Sequence, residues 1–194
     1  MARLLLIRHG ESEGNRDRVF TLTPEVPITD AGRVQAAAAA EWIAVRYAPA
    51  RVVSSPFRRA RQTADILARR LGLDVHVEED LREQSYGSLA GQPYGALRDC
   101  ADYDPAAYWT WAPPGGGESL VDVAARAGAA LDRVARAHPD DDVVVVSHGG
   151  VMMALWRHVT GDWRAGRVAR NAGLIVVEHD AGRWLGATAV EEGE

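Results

Sequence analysis

Three short apolar runs, each ending in a cluster of polar and reactive residues, constrain the fold most strongly. Leu4-Leu5-Leu6-Ile7 runs into Arg8-His9-Gly10-Glu11. Val52-Val53 runs into Ser54-Ser55-Pro56 and the pair Arg58/Arg59, and Val143-Val144-Val145-Val146 runs into Ser147-His148-Gly149-Gly150. Each run is too short for a helix, and none alternates in polarity, which is the pattern of strands buried on both faces. Such strands belong to helix-covered parallel sheets, and open α/β sheets hold their ligands beyond the carboxyl ends of the strands. If the three strands are parallel neighbours, His9, the Arg58/Arg59 pair and His148 converge at one edge of one sheet.

The intervening segments read mostly as helices. Thr29 caps one that runs to about Tyr47, with Val34, Ala38, Trp42 and Val45 on one face. Pro56 stands at the start of a second, which turns Ala60, Thr63, Ala64, Leu67 and Leu71 inward and ends at Gly72. Ser119 caps a third, with Leu120, Val123, Ala124, Ala127, Leu131 and Val134 at helical spacing, and Val151 to Thr160 forms a fourth. Val75 to Val77 is a short strand. Leu174 to Glu178 and Trp184 to Val190 read as a hairpin turning at Asp180-Ala181-Gly182. Residues 11–29, with Pro24 and Pro27, read as a loop over the site, and the tail Glu191 to Glu194 as frayed.

The expected architecture is α/β: a three-layer sandwich with a mostly parallel central sheet and helices on both faces. Residues 81–117 break its rhythm. They are rich in glycine and proline and hold Tyr86, Tyr94, Tyr103, Tyr108, Trp109 and Trp111, so they read as a small inserted cap of short helices. For any one of these aromatics, packing of the cap is the more frequent role than lining a pocket. No linker or internal repeat divides the 194 residues, which predicts a single domain over 1–194.

Composition removes several classes of function. The 22 basic residues are all arginine, which excludes the Walker phosphate loop, Schiff-base chemistry and Ser-Lys pairs. Gly115-Gly116-Gly117 is then a hinge, not a nucleotide loop. Arginine does suit bidentate recognition of phosphate. A net charge of −5 gives no general attraction to nucleic acid or membranes, and no apolar run approaches a membrane span. Met1-Ala2-Arg3 leads directly into the first strand, so no signal peptide is expected. The single Cys100 excludes an internal disulfide framework and fits the cytoplasm. A homodimer is compatible with these features.

The residues at the strand ends suit phosphoryl transfer. A neutral imidazole attacks phosphorus, guanidinium groups and a second imidazole hold the transferring oxygens, and a carboxyl group protonates the leaving oxygen. His9, Arg8, Arg58 or Arg59, and His148 supply the first three parts, and Glu11 and Glu83 are the carboxyl candidates. On the helix after the second strand, about 100° per residue puts Arg59 at the border of the face centred on Ala60, while Arg58 points to solvent.

The segment Arg8-His9-Gly10-Glu11-Ser12 with Asn15 resembles the signature of the histidine phosphatase superfamily, the phosphoglycerate mutase-like enzymes. Ser54 to Ala64, Leu81-Arg82-Glu83 with Gly87 and Gly91, Gly117-Glu118-Ser119, and Ser147 to Gly150 are similar to that family's later motifs, in the same order. The resemblance implies that His9 accepts the phosphoryl group as a phosphohistidine. It also implies that Arg8, Arg59 and His148 clamp the phosphoryl oxygens, and that Glu83 protonates the leaving group and then activates water. Asn15 and the Gly149 N–H would add hydrogen bonds to substrate, and no metal or cofactor is implied. One departure is the absence of the family's usual glycine shortly after Phe20, which loosens any transfer of substrate identity through the loop 16–28.

Some residues have blander readings. His76, His138, His158 and His179 read as packed or surface histidines, and Glu11 as a local hydrogen-bonding residue. Glu118 and Arg126 read as a helix-start charge and a solvated helix face. A zinc site from His9, Glu11 and His148 lacks a fourth ligand, and a serine hydrolase lacks its Gly-x-Ser-x-Gly elbow. The expected activity is metal-independent hydrolysis of a small phosphomonoester. The rivals are a 2,3-bisphosphoglycerate-dependent mutase and a non-catalytic phospho-ligand binding protein on the same fold.

Overall fold

The computed structural model describes residues 1–166 and 169–190. In chain order the elements are β1 (Ala2–Arg8), α1 (Glu13–Arg16), α2 (Asp30–Arg46), β2 (Pro49–Ser54), α3 (Arg58–Leu71) and β3 (Val75–Val77). Then come α4 (Leu120–Ala137), β4 (Asp142–Ser147), α5 (Gly149–Thr160), β5 (Leu174–Asp180) and β6 (Arg183–Val190). The six strands form one sheet in the order β3-β2-β4-β1-β5-β6. β4 lies between β1 and β2 and is parallel to both, so the three expected strands are neighbours.

Alternate residues of each central strand serve two cores. Leu4, Leu6, Val143 and Val145 pack on the side of α4 and α5. Leu5, Ile7, Val144 and Val146 pack on the side of α2 and α3. Every residue of β4 is buried, which explains its unbroken valine run. β5 and β6 are antiparallel and close through Ala181 and Gly182, both at positive φ, as a two-residue hairpin turn of the primed kind requires. Among the described residues no helix is long and apolar enough to cross a membrane.

The structure corrects several local expectations. On α2 the inward residues are Gly32, Ala36, Ala40 and Ile43, while Val34 and Val45 are 71% and 77% exposed. The reason is close approach. A Cβ on Gly10 would collide with the Gly32 carbonyl, and one on Gly32 with the Glu11 backbone. The inner face was therefore selected for small side chains, not large ones. Residues 11–29 are not all loop: Ser12 and Asn15 form a capping box that starts α1. Pro56 precedes the Phe57 N-cap instead of opening α3, and α5 starts two residues earlier than expected, at Gly149. The short helices expected within residues 81–117 are of the 3₁₀ kind, at Gly87–Leu89 and Tyr94–Asp99. The expected frayed tail lies outside the described residues.

Candidate active site

The parallel register that pairs Arg8 with Ser147 sets His9 and His148 side by side just past the strand ends. The His9 N–H donates to the Ser147 carbonyl at 2.9 Å, and the two imidazoles meet edge to face with centroids 5.2 Å apart. His9 Nδ1 lies 2.7 Å from the Gly10 carbonyl oxygen, which only accepts, so Nδ1 carries the hydrogen. That leaves the Nε2 lone pair free of a proton, and Arg59 Nε donates to it at 3.2 Å. Burial first, then the neighbouring Arg59 and Arg8 charges, hold the His9 pKa well below the usual histidine range. The imidazole is therefore neutral at pH 7, the form in which an imidazole can attack phosphorus.

Arg59 is 1% exposed in the first turn of α3, whereas Arg58 is exposed, so the structure separates the adjacent pair as the helix geometry requires. Its guanidinium lies 5.1 Å from the Phe57 ring centroid. Burial lowers the Arg59 pKa below the usual arginine range, partly offset by Glu83. Arg8 lines the pocket and donates through Nη1 to the Ala169 carbonyl at 2.8 Å. His148 is held neutral chiefly by burial, then by Arg59 and His9. Its Nε2 is 2.7 Å from the Ser55 hydroxyl. With Ser55 donating there, Nδ1 carries the hydrogen. Three buried nitrogens around His9 have no hydrogen-bond partner among the described residues: Arg8 Nε, Arg59 Nη1 and His148 Nδ1. Buried donors are costly to leave unpaired, so such a cluster marks where an anion belongs.

The N-terminus of α5 faces the same pocket through Gly149 and Gly150, and its free N–H groups favour negative charge. Gly150 also makes room for the carboxyl group: a Cβ there would stand 2.9 Å from Glu83 Oε1. Burial raises the Glu83 pKa, against opposing effects of Arg59, the Gln84 N–H and Arg8. Glu83 is thus a buried acid beside a neutral base, two groups whose environments push them toward opposite roles. Asn15 lines the pocket but is tied internally. Its Oδ1 accepts from Asn171 Nδ2 at 2.9 Å, and its Nδ2 donates to the Tyr94 hydroxyl at 3.2 Å. Asn171 also donates to the His9 carbonyl. The sequence reading missed Asn171; its only signal is a polar residue in the turn before β5, the strand that flanks β1.

Glu11 accepts from the Thr29 hydroxyl at 2.7 Å, at the α2 cap and not in the pocket. Of the remaining histidines, His158 pairs with Asp132, His138 with Asp141, and His179 packs on Trp184. Among the described residues no group of three or more histidine, cysteine or acidic side chains could hold a metal ion.

Arg126 overturns the reading of a solvated helix face. Its side chain is 11% exposed and donates to the carbonyls of Asp80, Arg82 and Glu83. It also forms a two-pronged pair with Glu118 at 2.7 and 2.8 Å. Glu118 in turn accepts from the Ser85 N–H and, through its own carbonyl, from Gln84 Nε2. The loop carrying Glu83 is therefore fastened to the start of α4 on both sides of the carboxyl group. If Glu83 is the general acid, Arg126→Met is expected to cost roughly tenfold or more in kcat/KM on an alkyl phosphate, because small displacements of such a group are expensive. It should cost under about twofold on p-nitrophenyl phosphate, whose leaving group needs no proton. Equal losses on both substrates, in folded protein, would reduce Arg126 to a merely structural residue.

A neutral buried imidazole, ringed by unpaired guanidinium and imidazole nitrogens and faced by a buried acid, defines a phosphate-handling enzyme site at the edge of an α/β sheet. The sequence profile of the histidine phosphatase superfamily (branch 1) matches residues 4–190, and the chain belongs to that family. It is 32% identical over 193 residues to a metal-independent phosphoserine phosphatase of Arabidopsis thaliana, covering 95% of this chain and 79% of the relative. It is 37% identical over 164 residues to a glucosyl-3-phosphoglycerate phosphatase of Mycobacterium tuberculosis, covering 79% and 73%. A solved structure of a mycobacterial glucosyl-3-phosphoglycerate phosphatase with VO3 superposes with a TM-score of 0.85 at 32% identity, covering 97% of each chain. With this family and these phosphatase relatives, the chain is a phosphomonoesterase.

Proposed function

We propose that the enzyme hydrolyses a small phosphorylated metabolite in two steps through a phosphohistidine on His9. The cluster of unpaired buried nitrogens around a neutral imidazole carries this reading. In the first step His9 Nε2 bonds to phosphorus, the phosphorus–oxygen ester bond breaks, and Glu83 gives its proton to the departing alkoxide. In the second, water bonds to phosphorus, the nitrogen–phosphorus bond breaks, and the Glu83 carboxylate takes the water proton. Arg8, Arg59 and His148 stabilise the charge on the equatorial oxygens, with the Gly149 N–H and Asn15 as further hydrogen-bonding groups.

Residues 81–117 serve as a cap over this site within one domain, since Tyr86, Leu89, Tyr94, Tyr103 and Trp111 all line the pocket. The half-buried free Cys100 fits a reducing cytoplasm. The test is phosphate release from a panel of phosphomonoesters, together with 3-phosphoglycerate assayed with and without 2,3-bisphosphoglycerate. Hydrolysis of panel members is expected to outrun isomer interconversion. Interconversion much faster than phosphate release would make the enzyme a mutase.

A further inference from the structure

We infer that the alcohol released by this site is uncharged and largely apolar or aromatic, and in particular carries no carboxylate. The inference rests on the phosphatase reading above and concerns the other end of the same pocket. That pocket holds about 480 Å³, well beyond what a phosphoryl group fills. Among its described lining residues the charged or titratable groups near neutrality are Arg8, His9 and Glu83, all at the phosphoryl end. The walls beyond them are aromatic and aliphatic. Phe20 packs against Tyr86 and Tyr94 with centroids 4.6 and 5.1 Å away, and Tyr103 meets Trp111 edge to face at 5.2 Å. Leu97 and Met153 line the same space.

Several polar groups in these walls are engaged within the chain, and the others, the Thr21, Tyr86 and Tyr103 hydroxyls among them, are uncharged. Gln84 Nε2 donates to the Glu118 carbonyl at 2.6 Å, the Asn15 amide is shared between Asn171 and Tyr94, and the Tyr108 hydroxyl donates to the Trp163 carbonyl. A carboxylate entering here would lose its hydration next to the Glu83 carboxyl group, with no cation among the described lining residues beyond the phosphoryl-end Arg8 to receive it. An aromatic or aliphatic alcohol would gain by the same desolvation. Phosphoserine and glucosyl-3-phosphoglycerate, for which two relatives are named, both carry a carboxylate. This chain is therefore expected to differ from them in specificity while sharing the chemical step.

The discriminating pair is benzyl phosphate and 4-carboxybenzyl phosphate, which differ in charge but little in the basicity of the leaving alcohol. With the whole protein, kcat/KM for benzyl phosphate is expected to exceed that for the carboxylated compound by about tenfold or more, expressed mainly in KM. Trp111→Ala should shrink that ratio at least threefold; an unchanged ratio overturns the assignment of selectivity to the aromatic wall. Equal or faster turnover of the 4-carboxy compound overturns the inference and leaves the phosphatase reading standing. Failure to release phosphate from either compound, and from p-nitrophenyl phosphate, defeats the phosphatase reading itself.

Discussion

Replacing His9 with alanine is expected to lower kcat by more than about 10³-fold, because in the proposed mechanism it is the nucleophile and no described side chain in the site can substitute for it. The Nε2 lone pair of His9 is oriented by the Nδ1 contact to the Gly10 carbonyl, and the ring is neutral because burial and two arginines oppose its protonation. His148 cannot take over. Its Nε2 is engaged by Ser55, and its Nδ1 bears the hydrogen in that arrangement. Brief incubation of wild-type enzyme with labelled substrate, followed by an alkaline quench and peptide mapping, should place acid-labile phosphate on His9 and leave the alanine variant unlabelled. A folded His9→Ala protein that keeps most of its turnover would end the covalent mechanism.

The sequence shows most plainly what depends on local pattern. The buried strands β1 and β4 are written as apolar runs, and the reactive residues follow them directly, so their convergence needed only the parallel pairing that the structure has. α4 was equally legible, because Ser119 caps it and its apolar residues recur at helical spacing. The inward face of α2 was not. A run of five alanines offers little contrast, and the deciding contact is the approach of Gly32 to Gly10, twenty-two positions apart in sequence.

The fastening of Glu83 by Arg126 and Glu118 was hidden for a related reason. Arg126 finds its acceptors among backbone carbonyls of residues 80–83, which no side-chain pattern encodes. Charged residues near a helix start look solvated until the loop that packs over them is known. Asn171 is legible only once β5 is known to pair with β1, which brings the turn before it beside His9 and Asn15.

Arg59→Ala is expected to reduce kcat/KM by roughly 10²-fold or more, and Arg58→Ala by less than about tenfold. The two residues are adjacent, carry the same charge and begin the same helix, so composition and net charge cannot separate the variants. Position does. Arg59 Nε reaches Nε2 of His9, the nitrogen proposed to react, at 3.2 Å, and its Nη1 is buried with no partner among the described residues. That guanidinium is already desolvated and positioned before substrate arrives, so charge developing on the phosphoryl oxygens meets a donor that needs no reorganisation. Arg58 is exposed, where water and salt screen its charge. Its backbone N–H, bonded to the Pro24 carbonyl at 2.9 Å, survives substitution by alanine. Removing Arg59 also relieves His9 of a neighbouring positive charge, so the His9 pKa should rise, and the acid limb of kcat/KM should move to higher pH in Arg59→Ala but not in Arg58→Ala. Both variants should be measured on one substrate after thermal unfolding confirms that each is folded. Greater damage from Arg58→Ala, or an unmoved acid limb in Arg59→Ala, would show that the phosphoryl group is held by groups other than the cluster around His9.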